Sequence, residues 1–166
     1  MRQTKKGTSS TFTNVKNLAL SWTPATANKE VTPNHTVSTD WGIINKTTKA
    51  GQNNVFALLL DLQTGWTAAY PCVSRGLAGD TLAHYCQEHG APQLILHDNA
   101  KEYLQGEFAT ICKQKEIKQV MSAPHHPSQN PTEHYMSILM AKTRALLFIS
   151  GLDPESHWEN ALLHAV

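Results

Sequence analysis

The chain has 166 residues with 14 basic and 13 acidic side chains, a net charge of +1 and 40% hydrophobic residues. These values suit one folded domain with a sizeable core and exclude a disordered or highly charged chain. The longest apolar run, Val55 to Leu60, is too short to span a bilayer, so no membrane association is expected, and the basic start lacks the apolar stretch of a secretory leader. Cys72, Cys86 and Cys112 are odd in number, widely spaced and without a C-x-x-C pair. A disulfide framework or thiolate zinc site is therefore not expected, which fits a reducing compartment.

Residues 1–34 are rich in Thr, Ser, Asn and Lys and carry a net +4, whereas the remainder carries −3. The composition predicts a basic flexible arm or linker over 1–34 and a folded domain over 35–166. Most of the positive potential offered to a nucleic acid lies in that arm, a weak footprint for a DNA enzyme.

Three strands are predicted at His35–Gly42, Asn54–Leu60 and Trp66–Pro71. Asp61-Leu62-Gln63-Thr64-Gly65 is short enough to join the last two as an antiparallel hairpin. A helix follows near Gly79–His89, with Leu82, Tyr85, Cys86 and His89 at helical spacing and Gly90 and Pro92 as its stop. Gln93–His97 reads as a buried strand, Tyr103–Gln114 as a second helix and Ile117–Met121 as another short strand. A long helix is predicted from about Pro131 to Ile149, ended by Gly151. A last helix restarts with Asp153 as N-cap and Pro154 at the first helical position. An antiparallel meander followed by right-handed crossovers makes this an α/β domain with one mixed five-stranded sheet flanked by helices.

Three carboxylates stand out. Asp98, with Asn99, directly follows a buried strand, the position where ligand sites of open α/β sheets lie; the pair also suits an ordinary turn. Asp40 lies near a strand end beside Gly42, where a plain polar residue is equally at home. Glu133 is third in its helix if Asn130 is the N-cap, and a capping box explains it as well as chemistry does. If folding brings the three together, they repel unless cations sit between them, and that is a two-metal phosphoryl-transfer site. On the long helix Glu133, Ser137, Met140 and Arg144 share one stripe, while Tyr135, Leu139 and Leu146 form another that should face the core. Lys101 could meet a phosphate or be a solvated surface group. His125 and His126 have no partner at metal-ligand spacing, so a loop or DNA-contact role suits them better.

Taken jointly, Asp40, Asp98-Asn99, the segment Pro124-His125-His126-Pro127-Ser128-Gln129-Asn130 and Glu133 resemble the catalytic core of retroelement integrases, most of all the copia type. Ser150-Gly151-Leu152-Asp153-Pro154-Glu155-Ser156-His157-Trp158 resembles the copia-type segment before a final helix, and the match covers about residues 35–166. The resemblance implies an RNase H-like fold and a polynucleotidyl transferase that trims DNA ends and joins them to target DNA. It implies Asp40, Asp98 and Glu133 as catalytic residues and ligands of two Mg²⁺ or Mn²⁺ ions. It further implies DNA contacts from Asn99, Lys101, His125, His126, Gln129, Asn130, His134, Ser137 and Arg144, a homo-oligomer and work in the nucleus. Alternatives are an RNase H-like nuclease that cuts without joining and an inactive nucleic-acid-binding remnant. Three departures matter. Ala100 stands where many members have Gly. The loop before Glu133 is one residue short, leaving 34 residues between Asp98 and Glu133. His134, Met136 and Ser137 occupy places where the family carries Arg, Asn and Arg, which weakens the hold on DNA.

Overall fold

A computed structural model describes residues 32–44, 53–122 and 131–166. Its strands are β1 (Thr36–Ile43), β2 (Val55–Asp61), β3 (Thr67–Cys72), β4 (Leu94–His97) and β5 (Lys118–Met121). Its α-helices are α1 (Ala78–His89), α2 (Lys101–Leu104), α3 (Gly106–Gln114), α4 (Pro131–Ser150) and α5 (Pro154–Ala165), with a 3-10 turn at Arg75–Leu77 before α1. The sheet order is β3-β2-β1-β4-β5. β1, β2 and β3 run antiparallel, and β4 and β5 join parallel to β1. This is the mixed five-stranded sheet that the sequence predicts.

Every residue of β2 is buried, as expected for a strand covered on both faces. On one face Val37, Trp41, Ala57, Leu59 and Ile95 pack beneath α1 and α3 through Leu82, Tyr85, Phe108 and Ile111. On the other, Phe56, Leu58 and Ala69 meet Leu139 and Leu147 of α4 and Trp158 and Leu162 of α5. Period-two alternation thus assigns each strand residue to one of two helix layers.

The hairpin between β2 and β3 is built around the Asp61 carboxylate, 3% exposed. It accepts bonds from the Gln63 N–H (2.9 Å), the Thr64 hydroxyl (2.7 Å) and the Asn34 N–H (3.1 Å). Asn34 also donates to the carbonyls of His89 and Gly90 at the end of α1 and accepts from the Tyr85 hydroxyl. The fold therefore takes in Asn34; residues 1–31 of the expected arm lie outside the described residues.

Three expectations need correction. The single helix expected over Tyr103–Gln114 is two, α2 and α3, because Gln105 is extended and Gly106 sits at φ 71°, a left-handed conformation that glycine adopts without steric cost. Leu146, expected to face the core, is 38% exposed, while Leu147 is buried with Leu139 and Thr143. Met140, expected on the Glu133 stripe, packs partly against the same core. The C-terminal part of α4 lies against α5 as well as the sheet, so its inward stripe turns away from a strict seven-residue repeat.

Candidate active site

Asp40 lies on β1, two residues beyond Ser38, so both side chains leave the sheet on the α4 side. Gly42 continues that face. A Cβ there would come within 2.2 Å of the Phe56 ring, so glycine is what lets the buried phenyl lie over the strand beside Asp40. The Asp40 carboxyl is half-buried, and its Oδ1 accepts the Trp41 N–H at 2.7 Å.

Asp98 reaches Asp40 through strand register. β1 and β4 pair in parallel, with Ser38 opposite Leu96. Continuing the same offset by two residues sets Asp98, the first residue past β4, beside Asp40 at about the 4.8 Å spacing of neighbouring strands. Asp98 is exposed, and its Oδ1 accepts the Ala100 N–H at 3.1 Å. The turn and the sheet-end positions thus coexist in one residue.

Glu133 arrives by a clasp. The Thr132 hydroxyl, fully buried, donates to the Ser38 hydroxyl at 2.5 Å. One residue on, Glu133 is exposed in the first turn of α4. The bond spans 94 residues and fixes the start of α4 against the strand that carries Asp40.

The electrostatics register all three. Burial, foremost, raises the Asp40 pKa above its ordinary 3.8, and the charges of Asp98 and Glu133 push it the same way, against the Trp41 N–H and Arg75. Arg75 went unnoticed in the sequence. It stands on the 3-10 turn after β3, 4.0 Å from the Glu102 carboxylate of α2, and it is a cation whose field reaches Asp40. Only the sheet topology, which puts the ends of β1, β3 and β4 on one edge, could have revealed it.

The other expected contact residues divide. Asn99, Lys101, His134, Ser137 and Arg144 are all exposed. Lys101 opens α2 close to Asp98, and the Ser137 hydroxyl donates to the Glu133 carbonyl at 3.1 Å. His134, Ser137 and Arg144 share α4 with Glu133. His125, His126, Gln129 and Asn130 lie outside the described residues, as does the Asn130 cap of the capping-box alternative.

The carboxylates are hard oxygen donors, suited to Mg²⁺ or Mn²⁺, and the raised Asp40 pKa reports burial first and the like charges of Asp98 and Glu133 after it, both of which a bound cation would offset. Donor chemistry therefore fits. Among the described residues, however, no three His, Cys, Asp or Glu side chains are drawn together closely enough to hold an ion as they stand. A cation would have to gather them.

No family model and no curated protein matches the chain. Solved structures do. The chain resembles one in the cryo-EM structure of the simian T-cell lymphotropic virus intasome in complex with PP2A regulatory subunit B56 gamma, with TM-score 0.66 and 20% identity over 81% of this chain and 49% of that one. It thus spans about half the length of that chain. It is similar to the HTLV-2 integrase catalytic core domain in complex with magnesium, with TM-score 0.61 and 18% identity over 82% of this chain and 85% of that one. For the BIV integrase catalytic core domain the values are 0.59 and 18%, over 78% and 81%. The chain has the RNase H-like fold of retroviral integrase catalytic cores.

Proposed function

We propose that this domain trims DNA ends and joins them to target DNA, as the catalytic core of a copia-type retroelement integrase, with Asp40, Asp98 and Glu133 as its cation-binding catalytic carboxylates. One observation supports the reading: the β1–β4 register puts Asp98 at the level of Asp40, and the Ser38–Thr132 clasp ties the first turn of α4, which carries Glu133, to the same strand. The magnesium of the HTLV-2 core supports the same choice of cation here. Two bound Mg²⁺ or Mn²⁺ ions would supply the Lewis acidity that activates a water or DNA 3′-hydroxyl and steadies the departing oxygen.

The chain's own residues divide the remaining work. Asp40 on β1 and Asp98 just past β4 would offer carboxylate oxygens, and Glu133 would complete the group from the first turn of α4. Asn99, Lys101, His134, Ser137 and Arg144, all exposed, would meet DNA, together with His125, His126, Gln129 and Asn130. Arg75 offers a further phosphate partner. Joining two DNA ends in concert calls for more than one copy, and the nucleus is the place of action.

The test incubates the protein with element-end DNA, Mn²⁺ and a target plasmid. Joined product is expected, and the Asp98→Ala variant should make none. Cleavage without joining would leave a nuclease, and activity that survives Asp98→Ala would remove Asp98 from the site. A second reading, an inactive nucleic-acid-binding remnant, is favoured by the lack, among the described residues, of three acidic side chains close enough to hold an ion and by uncharged Met136 and Ser137 on α4. It requires that no divalent cation bind.

A further inference from the structure

His97, the last residue of β4, is 1% exposed and yet bonded at both ring nitrogens. Nδ1 lies 2.6 Å from the Asp98 carbonyl oxygen, and Nε2 lies 3.1 Å from the Gln119 side chain on β5. Its ring is packed 5.0 Å from Tyr103 and 5.9 Å, edge on, from Phe108. A carbonyl oxygen only accepts, so Nδ1 carries the proton. Nε2 lies against the Gln119 Oε1; because an amide's oxygen and nitrogen exchange by a half-turn, Gln119 holds this nitrogen whether it carries a proton or a lone pair.

The bonds form a chain from β5 to Asp98. The parallel ladder closes with the Ser122 N–H on the His97 carbonyl at 2.9 Å. The Asp98 carbonyl is the next acceptor along the main chain, and it is bound by the ring of the preceding residue. Holding that carbonyl sets the Asp98–Asn99 peptide plane, from which the turn to Ala100 departs. We propose that His97, held by Gln119, is a positioning residue: it locks the main chain of Asp98 at the end of β4 so that the carboxylate faces Asp40. The proposal rests on the reading of Asp98 as a catalytic carboxylate. It gives this buried histidine the role of an outer partner that orients a metal ligand.

Substitutions that copy one ring nitrogen at a time separate this role from packing. His97→Asn puts an amide nitrogen where Nδ1 stands, His97→Gln puts one where Nε2 stands, and His97→Phe keeps the ring but has neither. Two measurements serve: Mn²⁺ affinity, and hydrogen exchange of the Ala100 amide in cation-free protein, which reports its bond to the Asp98 carboxylate. His97→Phe and His97→Gln should lose about 10–100-fold in Mn²⁺ affinity, and Ala100 should exchange faster while Ile95 and Val120 stay protected. His97→Asn should recover both. Equal Ala100 protection in all three variants, or His97→Asn behaving as His97→Phe, would overturn the proposal. If the position 97 variants do not fold, Gln119→Leu releases the ring from the other side, and unchanged exchange at Ala100 there overturns it equally. A wild-type protein that binds no Mn²⁺ refutes the catalytic reading instead, while Ala100 exchange still decides the positioning role.

Discussion

Asp40→Asn should make the cation-free protein more stable at neutral pH. The Asp40 carboxyl titrates above its ordinary 3.8, through burial first and then through Asp98 and Glu133. A folded-state pKa above the unfolded one means that the folded state holds the proton more tightly. Stability is therefore fullest below pH 3.8 and falls as pH rises through the folded value, and the cost persists at pH 7. Its size follows from register. Carboxylates on adjacent strands, about 6 Å apart, repel by roughly 0.7 kcal/mol at the dielectric of water and roughly 3 kcal/mol at an effective value of 20. Asp98 is exposed, which keeps the pair near the lower figure, at about 1 kcal/mol. Asn keeps an oxygen for the Trp41 N–H, so little is lost in exchange. In EDTA at pH 7, Asp40→Asn should melt about 2–4 °C above wild type. Millimolar Mg²⁺ should raise the wild type and leave the variant where it was. A variant melting at or below the wild type in EDTA would refute the idea that these acids strain one another.

Other substitutions probe the frame around the site. Thr132→Val removes the clasp to Ser38 and should cost about 1–2 kcal/mol in a urea titration, with joining activity falling further than stability because Glu133 loses its anchor. Gly42→Ala forces a methyl group into the Phe56 ring and should destabilise by about 1–3 kcal/mol; Gly42→Ala with Phe56→Leu should recover part of it. Asp61→Ala leaves the Asn34, Gln63 and Thr64 donors without their acceptor and should cost about 2–4 kcal/mol, with normal joining activity below the melting range.

Local pattern carried most of the frame. The apolar run of β2 and its hairpin, the Gly90 and Pro92 stop after α1, and the Asp153-Pro154 start of α5, where Asp153 accepts the Ser156 N–H at 3.0 Å, all follow from short-range chemistry. Asp98 could be placed just past a strand end for the same reason; Asp40, expected near a strand end, lies inside β1, which continues to Ile43 because it pairs with β2 that far. What the sequence withheld is tertiary. The helix break at Gly106 depends on a backbone angle that a tolerated glycine does not announce. The Ser38–Thr132 clasp, Arg75 near Asp40 and the Gln119–His97–Asp98 chain join residues whose neighbourhood only the sheet order creates. A buried threonine or histidine looks like any core residue until its partner is known.

Mn²⁺ binding, followed by loss of the free-ion paramagnetic resonance signal, tests the carboxylate trio most directly. Wild-type protein should take up the ion. Asp40→Asn, Asp98→Asn and Glu133→Gln should each weaken uptake by about tenfold or more, roughly 1.4 kcal/mol. Uptake by Glu133→Gln equal to that of the wild type would show that α4 brings no ligand, and the three-carboxylate site would be wrong.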